Sequence, residues 1–395
     1  MMNWSDYRKE IDAIKIKDTK KERWILNIEN AQERKEHKFH TRRYAVVGAC
    51  LLLIISGYLM FSPYKINQSI KKPNEVKQDF KELPKIAITQ NNVVGFGFAG
   101  VMLPDASYFG KGNPILDYSN KTLPVYRNGY LTDGRDTILK GAMKEEQIDK
   151  IIEDYRKIFH FSEKAEKIMR FDNFVEAHYK EGNINVNHRG EAEISIKKEQ
   201  LKDKNLDFTA SNQEEAEKVA LRFANYFKEE LGLTNPKPNI SCRFDNTREQ
   251  KWNYSIYDEK KTIEDTIFSY SFRKVGFDYS ETYINVIISF TPVEEKLGDY
   301  PIISIDKARS LFMEGQYISN SLPPAQGADI AFMEIVYLDD PTFEYLSPYY
   351  KVYAEMEDGL IIPIEGMKDY GIYYIPAISS EYLDIRLPDT SLTFN

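Results

Sequence analysis

Apolar and polar positions change rhythm several times along this chain, and each rhythm predicts a different element. Residues 44–61, YAVVGACLLLIISGYLMF, have no rhythm at all: no charge interrupts these 18 residues. That length reaches the lower limit for crossing a hydrocarbon core of about 30 Å, and the backbone must then satisfy itself as a helix. Tyr44 and Tyr58 suit the two interfaces, and Pro63 marks a stop just beyond. From residue 143 onward, helical and strand periods alternate. Ile148, Ile151, Ile152, Tyr155, Ile158 and Phe159 form one helical stripe. Ser211-Asn212-Gln213-Glu214 is a capping box opening a second helix, whose stripe runs from Ala216 through Val219, Phe223 and Phe227 to Leu231, with Gly232 as its stop. Ser304 caps a third, carrying Ile305, Ala308, Leu311 and Phe312 and closed by Gly315. Strands are predicted near 167–196 and at 239–244, 252–257, 266–275, 282–291, 330–338, 349–356, 360–364 and 373–376. Turns are predicted at Glu181-Gly182, Arg189-Gly190 and Glu357-Asp358-Gly359.

These elements predict an α+β chain: a single transmembrane helix followed by extracytoplasmic modules in tandem, each a helix on an antiparallel sheet. The expected divisions are a cytoplasmic helical tail at 1–43, the span at 44–61 and a polar linker at 62–85. Three modules follow at 86–205, 206–297 and 298–395. Charge sets the orientation. Five of the 15 residues before the span are basic (Arg34, Lys35, Lys38, Arg42, Arg43), against three of the 15 after it (Lys65, Lys71, Lys72), so the N-terminus is expected in the cytoplasm. Residues 1–43 hold 12 Lys/Arg and 8 Asp/Glu, so a tail of net +4 precedes a remainder of net −12. A cleaved leader does not fit, because 43 residues precede the apolar run and no A-x-A site follows. A lipidated Cys50 does not fit either, because the apolar run continues well past it.

The tail carries two short amphipathic patterns. Tyr7, Ile11 and Ile14 share one face; Trp24, Ile28 and Ala31 share another, behind a Thr19-Lys20-Lys21-Glu22 capping box. So short a segment cannot bury a core alone. Tyr7, Ile11, Ile14, Trp24 and Ile28 are therefore the candidate residues for docking a cytoplasmic partner. The layout, with the stretch Asp6-Tyr7-Arg8-Lys9-Glu10-Ile11-Asp12-Ala13-Ile14, resembles bacterial membrane-bound anti-sigma factors, although the His and paired Cys of their zinc-type motif are absent.

A second resemblance lies near the C-terminus. Ile303-Ser304-Ile305-Asp306-Lys307-Ala308 opens a short helix. Glu334-Ile335-Val336-Tyr337, Tyr349-Tyr350-Lys351-Val352-Tyr353 and Tyr373-Tyr374-Ile375-Pro376-Ala377 follow. Over about 85 residues this looks like the PepSY-like modules of Gram-positive envelope proteins, closest to the YycH/YycI type that accompanies a cell-wall two-component system. The long tail departs from that family, whose members begin close to the anchor. The resemblance implies regulation by protein contact, with a sensor kinase or a sigma factor as partner, and no catalysis.

Composition narrows the chemistry further. A net charge of −8 gives no basic face for nucleic acid. Two cysteines exclude a disulfide scaffold, and Cys242 reads as a small buried residue. Residues 93–100, VVGFGFAG, suggest a phosphate loop, but Pro104 follows too soon for the helix such a loop requires. S-x-x-K occurs at Ser69, Ser195 and Ser304, but neither S-D-N nor K-T-G accompanies it. His160, His178 and His188 form no H-E-x-x-H, and Asp133-Gly134-Arg135-Asp136 lacks calcium-loop spacing and reads as a turn. No catalytic residue, cofactor or metal ligand is assigned. The expected function is that of a non-catalytic, single-pass regulatory protein of the cell membrane. The alternatives are a structural or assembly protein of the envelope, or an envelope hydrolase.

Overall fold

Strict alternation such as Asn183-Ile184-Asn185-Val186-Asn187 demands a sheet with one buried and one polar face, and the computed structural model of the protein builds one. The structure describes residues 83–88, 100–115, 121–133, 137–201, 208–244, 249–319, 321–356 and 365–384. The chain divides into two units, Met1–Gly57 and Tyr58–Asn395, and all described residues belong to the second. The expected tail, span, most of the linker, the 360–364 strand and the 357–359 turn lie outside the described residues.

The described chain begins with β1 (Gly100–Leu103), β2 (Thr122–Asn128) and the small hairpin β3 (Leu131–Thr132) and β4 (Ile138–Lys140). Helix α1 (Glu145–Ile158) leads into β5 (Lys167–Arg170), β6 (Phe174–Tyr179), β7 (Gly182–Asn187) and β8 (Ala192–Lys197). Helix α2 (Gln213–Tyr226) leads into β9 (Pro236–Phe244), β10 (Gln250–Asp258), α3 (Ile263–Phe272), β11 (Lys274–Tyr279) and β12 (Tyr283–Ile288). Last come β13 (Val293–Pro301), α4 (Ile305–Met313), β14 (Ile330–Tyr337), β15 (Tyr345–Leu346), β16 (Pro348–Glu355) and β17 (Lys368–Pro376). The class is α+β, and every pairing between these strands is antiparallel.

The sheets do not divide where the three expected modules would. One eight-stranded sheet runs in the order β5-β6-β7-β8-β12-β11-β10-β9, so the first two modules merge across the β8–β12 pair. That order is palindromic. Each half is a helix followed by four strands, and the last strand of one half pairs with the last strand of the other. α1 and α2 bury one face of the sheet, with Ile148, Ile152, Val219, Phe223 and Phe227 packing on Val175, Ile184, Ile194, Val286 and Phe277. Residues 86–128 also leave their expected module. β1 closes the four-stranded sheet β1-β17-β16-β14, and β2 is central in β13-β2-β15. Ile86 forms a parallel bridge with Leu383. The third core therefore takes strands from both ends of the described chain, because its sheets are left incomplete without them.

Local corrections have local causes. Residues 266–275, expected as a strand, are mostly α3. Thr262 caps that helix by accepting from Asp265 N at 3.1 Å, and Glu264 and Asp265 occupy its first turn. α3 buries Ile267, Tyr270 and Phe272 together with Thr266, Ser269 and Ser271, so it shows no polar stripe from which a helical period could be read. The cap of α2 is shifted by one residue from the expected box: Asn212 accepts from Glu215 N at 3.0 Å, and Glu215 accepts in return from Ser211 N at 2.9 Å. α2 ends at Tyr226, and Leu231 and Leu233 reach the core from the turns that follow. Ser304 caps α4 as expected, accepting from Lys307 N at 3.2 Å.

The tyrosine richness resolves into core packing with polar ends satisfied. Tyr337, Tyr350 and Tyr373 are buried in the C-terminal core with α4, α3 and β2. Their hydroxyls donate to the carbonyls of Pro124, Ile303 and Leu322, each at 2.7 Å. A buried phenol needs such a partner.

Candidate binding face

The side of the eight-stranded sheet turned away from α1 and α2 presents a polar surface on β6, β7, β8 and β12. Alternation places it there. Val175, Ile184, Val186, Ile194 and Val286 point at the helices, so Glu176, Asn185, Glu193 and Asn285 must point away. Register aligns them in two rows across the strands. One row runs Glu176, Asn185, Glu193, Ile287; the other runs His178, Asn183, Ser195, Asn285, Asp278.

Amides hold some of the carboxylates. Asn183 Nδ2 donates to Glu176 Oε1 at 3.3 Å, and His178 Nε2 lies 3.3 Å from the same oxygen. Asn285 Nδ2 donates to Asp278 Oδ1 at 2.7 Å. Glu193, in the middle, has neither hydrogen bond nor ion pair among the described residues. Burial pushes its carboxyl above the ordinary range, and the neighbouring charges of Asp278 and Glu176 push it the same way. Burial also raises Asp278, opposed by the Asn285 amide. A half-buried carboxylate near two others, with no cation beside it among the described residues, has spare capacity for a positive charge or a hydrogen-bond donor.

The rim of this face has two features. At the β5 edge, Phe171 and Phe174 stack with centroids 4.4 Å apart, and Phe171 is 45 % exposed. At the β7–β8 turn, Arg189 is tied to the C-terminal part, Nη2 donating to Asp339 O at 2.8 Å and lying 3.3 Å from Asp339 Oδ2, while Nη1 sits 3.2 Å from Glu191. Burial raises the Glu191 carboxyl in spite of Arg189.

Residues singled out from the sequence are placed elsewhere or not described. Tyr7, Ile11, Ile14, Trp24 and Ile28 lie outside the described residues. Ser304 is a helix cap. Ser195 stands in the second polar row, and Lys198, the lysine of its S-x-x-K, lies over the Tyr279 ring at 5.7 Å. Cys242 is buried, its Sγ 3.4 Å from Gln250 Nε2, and burial lifts its thiol to about 11. His188 Nδ1 contacts Met143 O at 3.2 Å, and His160 adopts a positive φ of 56° just after α1. Among the described residues there is no group of three His, Cys, Asp or Glu side chains that could hold a metal ion. No helix among them is long and apolar enough to cross a membrane, and the 44–61 stretch is not one of them. The polar face itself was missed by motif reading. Its signal was the alternation of Asn with Ile and Val in 183–187, continued by Glu191-Ala192-Glu193-Ile194-Ser195.

No family model, curated protein or solved structure matches the chain.

Proposed function

We propose that the protein is a single-pass regulator of the cell membrane that works by protein contact and not by catalysis. Residues 44–61 form the anchor. Residues 1–43 lie in the cytoplasm and dock a sensor kinase or a sigma factor through Tyr7, Ile11, Ile14, Trp24 and Ile28. The sheets formed by residues 100–376 make up the extracytoplasmic part. The charge-free 18-residue run and the basic excess before it support the topology. The observation that carries the reading is the polar face around Glu193: among the described residues it presents Glu176, Asn185, Glu193 and Asn285 from neighbouring strands of one sheet, an arrangement that suits recognition. A contact that differs between two states of the outer part would bias a partner across the membrane.

Two measurements test the reading together. Protease added to intact protoplasts should digest residues beyond 62 and spare the tail. Deleting residues 1–43, with the anchor kept, should abolish the change in target transcription that the full chain causes. Protection of the larger part, or unchanged transcription after the deletion, overturns it.

A further inference from the structure

Lys274 and Lys351 approach each other from two different sheets. On β11, Val275 and Phe277 pack towards α1 and α2, so Lys274 points to the other side of the eight-stranded sheet. On β16, Tyr350 and Val352 pack into the core with α4, so Lys351 points away from that core, beside its register partner Glu334 on β14. Both lysines are mostly buried, and Lys274 feels the charges of Glu334, Asp339 and Lys351. A buried ammonium has three N–H groups to satisfy. Each of these two rests on a tyrosine ring instead of a carboxylate. Lys274 Nζ lies 4.9 Å from the centroid of Tyr270, and Lys351 Nζ lies 4.9 Å from that of Tyr353. Neither lysine forms an ion pair among the described residues. Lys296, 12 % exposed, shows how this fold otherwise satisfies such a group, with Glu264 at 2.8 Å and Asp299 at 3.0 Å.

The nearby carboxylates are committed to other donors. Glu334 Oε2 accepts from Asn113 Nδ2 at 2.9 Å and its Oε1 lies 3.5 Å from the Tyr353 hydroxyl, although Lys351 stands directly across the strand pair. Asp339 Oδ2 accepts from Thr291 Oγ1 at 3.0 Å and lies 3.3 Å from Arg189 Nη2, and Glu191 shares that guanidinium. We propose that Lys274 and Lys351 hold a small carboxylate between them, one ammonium on each side. Charge selects a monoanion. The two lysines against Glu334 leave one positive charge; Arg189 offsets Asp339, and burial holds Glu191 towards its neutral form. A dianion would exceed that surplus and meet Glu334. Burial lowers the Lys274 ammonium in spite of Asp339 and Glu334, and Lys351 adds to the depression. An anion seated between the two relieves both effects. The site stands apart from the polar face around Glu193 and does not depend on the reading of the chain as a membrane regulator.

The test uses the full chain in detergent, labelled with 15N at the lysine Nζ atoms, and sodium acetate as the probe. Acetate replaces chloride at constant ionic strength, so that general screening does not change. The Nζ resonances of Lys274 and Lys351 should move saturably with one shared midpoint, while that of the exposed Lys218 should not saturate. Lys274→Met and Lys351→Met should each raise the midpoint read at the remaining lysine about tenfold, the loss of one charge-assisted hydrogen bond. Both variants keep the side-chain length and remove a buried charge, and their thermal midpoints are recorded beside the parent's. Lys218→Met should leave the acetate midpoint unchanged. Resonances of Lys274 and Lys351 that stay fixed, drift as Lys218 does, or saturate at different midpoints overturn the site in the parent chain alone, whether or not the variants fold. A midpoint unchanged in both folded variants overturns it as well. A lower midpoint for inorganic phosphate than for acetate overturns the choice of a carboxylate.

Discussion

The ring of Phe223 on α2 lies flat on that of Phe277 on β11, with centroids 4.0 Å apart and planes 9° from parallel. Tyr254 stacks on the other side of Phe277, at 4.5 Å and 14°. This three-ring stack pins α2 to the middle strands of its half-sheet. Phe223→Ala should cost about 3–5 kcal/mol, the usual toll of a large core cavity. Chemical denaturation checks it, and an exposed substitution such as Leu221→Ala should cost under about 1 kcal/mol by comparison.

Gly112 lies against β9 with φ +96°, where a Cβ would sit 2.2 Å from Pro238 O. At the adjacent residue, Lys111 and Ile240 exchange backbone hydrogen bonds at 3.2 Å, closing the β9 edge of the large sheet with the segment between β1 and β2. Gly112→Ala should therefore cost about 1–3 kcal/mol through backbone strain and lost approach. Amide exchange at Ile240 should accelerate, while Ile194 at the sheet centre keeps its protection.

Arg189 ties the β7–β8 turn to Asp339, and its side chain is only 11 % exposed. Asp339→Ala removes one of the two carboxylates at the guanidinium, leaving Glu191, the Asp339 carbonyl and Thr291 Oγ1, and should cost about 1–3 kcal/mol. Asp339→Asn keeps an acceptor at the same position and should recover part of that loss in the same melting experiment.

Glu193 gives a pH dependence whose sign is fixed. Its folded-state pKa is raised, first by burial and then by Asp278 and Glu176, so the folded chain holds this proton more tightly than the unfolded chain does. Stability then falls as pH rises from the ordinary carboxylate range near 4.3 towards the folded value, and levels off above it. Glu193→Gln removes the penalty. The variant should melt higher than the parent at pH 7.5, and the two should converge below about pH 4. A variant that melts lower at pH 7.5 would contradict this.

Burial of Cys242, with its thiol lifted to about 11, predicts inertness at neutral pH. In a Cys50→Ala background, a thiol reagent at pH 7.5 should label the folded chain only after denaturant is added. Labelling at the rate of a free peptide would contradict the packing.

Amphipathic helices were legible because their stripes are one-sided: α1, α2 and α4 occur where Ile148, Phe223 and Ala308 predicted them. α3 was not, because a helix buried between two sheets alternates Thr266, Ile267, Ser269, Tyr270, Ser271 and Phe272 in a way that reads as a strand. β13 was not either, since Val293-Glu294-Glu295-Lys296 carries charges at an edge, and two register shifts break its pairing with β2. Long-range pairing left no local mark: nothing near Gly100 announces Gly371, and nothing in 192–197 announces 283–288. The polar face was half visible. Its alternation could be read, but whether anything covers it depends on where α3 and the C-terminal sheets fold back.

The bridge between Ile86 and Leu383 is held by Ile86 N donating to Tyr382 O at 2.7 Å and Asp384 N donating to Ile86 O at 3.0 Å. It sets an order on biosynthesis. The large sheet is contiguous, from β5 to β12, and can assemble while the ribosome is still translating. The strands that emerge before it, β1 and β2, have no mates until β13 and β17 are made. The earliest part of this structure is therefore the last to close, and a nascent chain that has not yet reached β17 leaves β1 without its partner strand.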